Sequence, residues 1–325
     1  MDYNKAIEIN GLVKVYKGGI QAVNNVSLNV SKNEIFGLVG PNGAGKSTII
    51  KVLVTLIGFN SGKVSIFGLK RPSDDSKIRQ LIGYVPQDIS ADGFLTGFEN
   101  MLLSARLHGL HGQKMRNKID ETLKRFGILK AKNRLASTYS GGMIRKLELA
   151  QALIHTPKIV FLDEPTVGLD PTARDVIFEY VKELKKKLGI TVVITTHYMD
   201  EADALCDRVA IMNHGKIIAI GTPKELKARI GRSAIVFETA GIKNFKAKNM
   251  KISGHTITIP SLNPEGDLPI YMKQLYSKGI KVRSARVKEI TLDDVFIKFT
   301  GSTMQDEENA WASTKKTRML TRRLG

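Results

Sequence analysis

Three short stretches carry residue types whose spacing could do phosphate chemistry. The first is Gly40–Thr48, read Gly40, Pro41, Asn42, Gly43, Ala44, Gly45, Lys46, Ser47, Thr48. It fits GxxxxGK[ST] and lies between an apolar run, Ile35–Val39, and a helical pattern, the context that motif requires. The glycines let successive backbone N–H groups turn inward onto phosphate oxygens. Lys46 supplies a positive charge for terminal phosphates, and the Ser47 hydroxyl suits Mg²⁺. The second stretch is Ile159–Pro165, IVFLDEP. There a buried strand ends in two adjacent carboxylates: Asp163, placed to hold Mg²⁺ directly or through water, and Glu164, placed to orient and deprotonate an attacking water. The third is Tyr139–Met143, YSGGM, at the start of a helix. Its Ser-Gly-Gly leaves free N–H groups at the positive helix end, a second anion cradle. Two cradles with a single phosphate-binding lysine suggest that the second serves a nucleotide held by another copy of the chain.

The elements around these motifs alternate between strand and helix. Strands are expected at 4–16, Val26–Val30, Ile35–Val39, Ile82–Pro86, Ile159–Leu162 and Thr191–Thr195. A helix follows Lys46, and Ser140–His155 and 172–188 are helices too. This alternation argues for an α/β domain on a parallel sheet. Residues 94–135 switch to helical spacing, with Phe98, Met101, Leu102, Ala105 and Leu107 on one face and Ile119, Leu123, Phe126 and Leu129 on another. Arg208–Met212 and Lys216–Ile220 flank a hairpin turn. Thr222-Pro223-Lys224-Glu225 opens a helix ending near Gly231. Residues 232–300 read as a small α+β domain with strands at Ile235–Glu238, Thr256–Ile259 and Ile280–Arg286 and helices at Leu268–Ser277 and Leu292–Phe299. Residues 301–325 read as a basic, flexible tail, mobile or docked on something acidic.

Composition sets outer limits. The 325 residues hold 42% hydrophobic and 25% charged side chains, an ordinary globular balance. The lone cysteine, Cys206, excludes an intrachain disulfide framework. No apolar run approaches the roughly 20 residues that span a bilayer. The net charge of +19 is spread along the chain and suits an acidic partner such as nucleotide, nucleic acid or anionic lipid.

The ordered set GPNGAGKST, Gln87, YSGGM, IVFLDEP, Gly168–Pro171 (GLDP) and His197 resembles the ATP-binding subunit of an ABC transporter over residues 4–231. The nearest likeness is to the daunorubicin-resistance and related drug and ion exporters, which similarly carry YSGGM and a C-terminal segment like ITLDDVFIKFTG (Ile290–Gly301). The resemblance implies a P-loop ABC ATPase domain over 1–231, with a helical subdomain at about 88–157 and an N-terminal antiparallel β part. A C-terminal accessory domain at 232–300 would regulate the ATPase or brace the dimer, and the resemblance favours the brace. It implies ATP and Mg²⁺ as ligands, with Tyr16 stacked on adenine, Gln87 reaching Mg²⁺, and His197 bonded to the γ-phosphate. Ser140, Gly141 and Gly142 would reach that phosphate from a second copy in a head-to-tail dimer holding two ATP, with Asp170 contacting the opposite subunit. Catalysis would fall to Glu164, His197, Lys46 and Gln87, and the metal to Ser47, Gln87 and Asp163. The partner implied is an integral membrane permease, docked near Leu95–Gly109 at the cytoplasmic face, exporting a drug, lipid or ion; no nucleic acid is expected. Met143 stands where the family usually has Gln, and Tyr139 where it usually has Leu, so the polar role of that Gln does not carry over. The alternative is an ABC-type ATPase acting on ribosomes or nucleic acid. Against it stand the single P-loop and the short separation of Thr48 from Tyr139, which leaves no room for a long coiled coil.

Overall fold

The computed structural model describes residues 4–231, 233–240 and 250–311. They fall into two compact units, the first comprising residues up to Pro223 together with the chain from Thr303 onward, the second Lys224–Ser302.

The first unit opens with β1 (Lys5–Tyr16), β2 (Ile20–Ser31) and β3 (Ile35–Val39), then α1 (Lys46–Leu53), β4 (Ser61–Ile66), β5 (Leu69–Lys70), α2 (Asp75–Leu81) and β6 (Ile82–Val85). Three helices follow, α3 (Gly97–Leu107), α4 (Gly112–Arg125) and α5 (Gly141–Leu153). After them come β7 (Ile159–Asp163), α6 (Pro171–Leu188), β8 (Thr191–Thr196), α7 (Met199–Leu205), β9 (Arg208–Asn213) and β10 (Lys216–Gly221). One sheet is antiparallel, in the order β2-β1-β4-β5. The other runs β10-β9-β3-β8-β7-β6 and is parallel throughout except for the β10 edge. Every residue of β3, β7 and β8 is buried, as continuous apolar runs covered on both faces must be. The two sheets share one core, in which Ile7, Ile9, Leu12 and Val30 pack with Phe36, Ile49, Ile50, Phe161 and Met212.

The expected α/β fold with its antiparallel part and inserted helices is what the chain adopts. Strand β4 went unforeseen because SGKVSI buries only Val64 and Ile66, too few for an alternating pattern. The α3 face needs one correction. Met101 and Ala105 are buried, whereas Leu107 is 78% exposed. Two positions past Ala105 is about 200° around a helix, so Leu107 points away from the face that Ala105 buries.

In the second unit lie α8 (Pro223–Ile230), β11 (Ala234–Thr239), β12 (Lys251–Ser253), β13 (Thr256–Pro260), α9 (Pro264–Ser277), β14 (Val282–Lys288) and α10 (Leu292–Thr300). Its sheet is antiparallel, ordered β12-β13-β11-β14. Ile235, Phe237, Ile257, Ile259, Leu275 and Ile280 form a core of its own. The unit begins at Lys224 rather than at 232, so nearly all of α8 counts with it.

The expectation of a flexible tail from 301 is corrected in part. Residues 304–311 are helical, entered through a capping box in which the Thr303 Oγ1 accepts from the Asp306 N–H at 3.1 Å and the Asp306 carboxylate accepts from the Thr303 N–H at 3.1 Å. The basic stretch at 312–325 lies outside the described residues.

Candidate functional site

In open α/β sheets, ligands bind beyond the carboxyl ends of the strands. The chemistry-bearing motifs sit there: Gly40–Gly45 after β3, Gln87 after β6, Glu164 after β7 and His197 after β8. Since β7 pairs with β8 and β8 with β3, these loops are neighbours by topology.

The P-loop has no slack. Gly45 is the N-cap of α1 at φ 102°, and a Cβ there would run into the Ala22 carbonyl, so only glycine fits. No side chain caps α1, which leaves the first N–H groups of the helix for a ligand. Lys46 is buried at 4% exposure, and its Nζ donates to the Gly40 carbonyl at 2.6 Å and the Pro41 carbonyl at 3.1 Å. It also lies 3.3 Å from Glu164 Oε1. Burial lowers the lysine pKa, against the opposing pull of the Glu164 and Asp163 charges.

The paired acids occupy different environments. Asp163 faces Thr195 across the β7–β8 register, and the Thr195 Oγ1 donates to Asp163 Oδ1 at 2.6 Å. Ser47 Oγ donates to the same oxygen at 3.0 Å. Burial pushes the Asp163 carboxyl up from its ordinary value, against these two bonds. Glu164 stands in the left-handed region at φ 49°, a conformation that costs a non-glycine residue roughly 1–2 kcal/mol. Its N–H is held by the Thr195 Oγ1 at 2.9 Å, which fixes the turn. The Glu164 carboxylate accepts from Gln87 Nε2 at 3.1 Å, and His197 Nδ1 lies 3.5 Å away. Burial raises the Glu164 pKa, but His197 and Lys46 outweigh it and hold the carboxyl below its usual range. The result is a buried, ionised carboxylate ringed by a cation, an amide and an imidazole.

The Ser47 hydroxyl and the Asp163 carboxylate form an oxygen pair suited to Mg²⁺, which takes few protein ligands and completes its shell with phosphate and water. Among the described residues there is no cluster of three or more His, Cys, Asp or Glu that would make a dedicated metal cage. At the outer edge, Tyr16 is 38% exposed with its hydroxyl 3.4 Å from Thr48 Oγ1 and the Lys14 ammonium 5.3 Å from its ring centroid.

The remaining motif residues form a separate group. Ser140 is the N-cap of α5, accepting from the Met143 N–H at 3.4 Å, and Asp170 is the N-cap of α6, accepting from the Ala173 N–H at 3.0 Å. The two helix starts adjoin: a Cβ on Gly141 would meet Leu169 at 3.5 Å, and one on Gly142 would meet Ala173 at 3.3 Å. None of the hydrogen bonds of Ser140 or Asp170 reaches the cradle. Tyr139 is buried, and its hydroxyl donates to the Ala131 carbonyl at 2.8 Å, filling space that the absence of a side chain at Gly97 leaves open.

Sequence reasoning passed over three contributors. Thr195 organises both acids; its signal was a pair of threonines ending an otherwise apolar strand. The second is a buried ion pair, Arg145 with Glu148 at 2.8 Å. Arg145 also donates to the Pro86 carbonyl at 3.0 Å and the Gln87 carbonyl at 2.5 Å, and Glu148 accepts from the Ser90 N–H at 2.5 Å. This pair ties the Gln87 loop to the helix that starts at Ser140. Its only trace in the sequence is an i, i+3 spacing, which is common on any helix. The third is Glu201, which accepts from both Thr166 and Thr196 at 3.0 and 2.8 Å and so links the loop after Glu164 to the end of β8.

Comparison with known proteins shows the family. The family model described as ABC transporter matches residues 23–167. The daunorubicin/doxorubicin resistance ATP-binding protein of Streptomyces peucetius is 37% identical over 323 residues, covering 96% of this chain and 97% of that protein. The chain belongs to the ABC transporter family. The Nod factor export ATP-binding protein I of Sinorhizobium fredii matches this ABC chain at 36% identity, over 93% of the chain and 88% of the relative. Among solved structures, a dimeric ATP-binding cassette in a post-hydrolysis state bound to ADP and Pi superposes with a TM-score of 0.61 at 29% identity, over 66% of this chain and 98% of that one.

Proposed function

We propose that this chain hydrolyses ATP to drive export, of a drug or a comparable amphiphile, through a permease carried by a separate membrane partner. The observation that carries the reading is the Glu164 carboxylate, ionised and held 3.3 Å from the P-loop lysine at the mouth of the phosphate cradle. In-line attack of water on a γ-phosphate asks for positioning and charge neutralisation more than covalent chemistry. Glu164 accepts the proton of the attacking water. Gln87, bonded to that carboxylate, orients it, and His197 donates toward the terminal phosphate. Lys46 neutralises charge on the phosphates. Mg²⁺, held by Ser47 and Asp163 with Gln87 in reach, would supply further neutralisation.

Two copies act together, the Ser140–Gly142 and Asp170 group of one facing the cradle of the other. Support comes from the local hydrogen bonds of Ser140 and Asp170, which engage only their own helix starts, and from the dimeric relative. For the partner, the α3 region offers exposed apolar side chains: Phe94 at 92%, Leu103 at 51% and Leu107 at 78%. No helix among the described residues is long and apolar enough to cross a membrane. We take the chain to act as a peripheral subunit at the cytoplasmic face, a reading supported by the names of its relatives. Export is favoured by the names of the relatives, which speak of drug resistance and of Nod factor export.

The test is steady-state ATPase activity of Glu164→Gln. Turnover should fall about 10²–10⁴-fold, the usual contribution of a general base, with ATP affinity retained. Unchanged turnover would remove Glu164 from that role. Purification in mild detergent from native membranes should bring a multi-span membrane protein with the chain; ribosomes or nucleic acid resistant to salt would instead favour the alternative ATPase reading.

A further inference from the structure

The P-loop rim of this chain is already covered. Beyond Thr303 the capped helix at 304–311 sets Glu307, Glu308 and Trp311 at i, i+1 and i+4, on one side of its axis. All three meet the rim of the nucleotide site. Glu308 Oε1 accepts from Asn42 Nδ2 at 3.0 Å. Glu307 Oε2 lies 3.0 Å from His214 Nε2, in the β9–β10 turn, whose Gly215 N–H donates to the Ala44 carbonyl at 3.1 Å. The Trp311 indole lies flush on Gly43, so that a Cβ at that position would fall inside the ring. The carboxylate and the indole take up the Asn42 amide and the Gly43 surface of the phosphate loop. Burial lowers the Lys46 pKa, and Glu308 joins Glu164 and Asp163 among the acids whose charges oppose that shift.

We propose that residues 303–311 are an acidic strap that docks on the P-loop rim and must leave before the phosphate chain of a nucleotide can bind. The competition is electrostatic as well as steric. A nucleotide brings phosphate oxygens to the loop whose Asn42 amide and Gly43 surface the strap covers, within the field of the Glu308 charge, and two like-charged ligands so close repel. The strap acts as an internal competitor with an effective concentration set by its own tether. If it is docked in about nine molecules of ten, it weakens apparent nucleotide affinity about tenfold. The inference rests on reading Gly40–Thr48 as the nucleotide cradle.

Trp311 is the sole tryptophan of the chain, so its fluorescence reports the strap directly. The full-length protein is titrated with MgADP, which binds without turnover, while acrylamide quenching of Trp311 is followed and affinity is measured by calorimetry. Quenching should rise saturably, with a midpoint equal to the calorimetric Kd. The double variant Glu308→Gln with Trp311→Ala should bind MgADP about tenfold tighter. Equal affinity in the two proteins would overturn the strap, leaving the cradle reading intact. Weaker binding by the double variant would overturn it as well, since the strap would then be part of the nucleotide site. Binding by the double variant alone would support it in its strongest form. Absence of binding in both would overturn the cradle reading and the strap with it.

Discussion

The phosphate cradle and helix α5, which begins at YSGGM, both place a short Gly-containing motif at a helix N-terminus, yet they are built in opposite ways. At α1 no side chain caps the helix, and the lysine, the serine and both acids behind it are tied into one largely buried hydrogen-bonded net. At α5 the helix is capped by Ser140, and Ser140 and Gly141 are exposed. The first region is complete within the chain. The second presents polar groups outward, with its cap bond a long 3.4 Å. Preorganised donors in a buried net hold a ligand without further ordering, whereas an exposed helix start gains a ligand only when something is brought to it. The contrast fits the proposal that one copy binds nucleotide and a second copy finishes the site.

The sharpest way to break the comparison is Lys46→Ala. Charge-assisted bonds contribute about 1.5–3 kcal/mol each, so loss of two phosphate contacts should weaken ATP binding about 10²–10⁴-fold by calorimetry. Near-normal affinity would mean that the cradle is misassigned. Next comes Glu148→Ala, which leaves Arg145 buried without its partner and should cost about 3–5 kcal/mol in urea unfolding. ATPase should also fall in the folded fraction, because the Gln87 loop loses its tie to α5; Arg145→Met combined with Glu148→Leu should recover stability but not activity. Smaller is Gly141→Asp, which puts a negative charge where a triphosphate would arrive. It should lower ATPase about tenfold or more while leaving single-chain ATP affinity unchanged. If affinity fell equally, the two regions would belong to one intrachain site. The mildest is Tyr16→Ala: removal of a stacking ring should weaken ATP about two- to tenfold with turnover at saturation preserved.

These effects also mark what the sequence could and could not carry. GPNGAGKST and IVFLDEP were legible because each couples a strand pattern to residues whose chemistry is local: backbone N–H groups, a lysine, two acids at a strand end. The parallel sheet was legible for the same reason, since runs such as IFGLV and TVVITT are buried on both faces. Thr195 and the Arg145–Glu148 pair were not legible. Their meaning lies in register and in contacts across 32 and about 58 residues of chain, which no local spacing encodes. Leu107 was misread because an apolar residue near the end of a helix was counted with a face that its angle excludes. The strap was hidden more completely: the basic charge of the final residues masked a preceding acidic segment, Asp306–Glu308, whose capping box Thr303-x-x-Asp306 is visible only once a helix is sought there.

The most direct test of the two-copy account is sedimentation of Glu164→Gln at saturating MgATP. Slowed turnover should hold the nucleotide in place, and the account predicts a shift from monomer to dimer that is abolished by Gly141→Asp. A protein that is saturated with ATP and remains monomeric would contradict it.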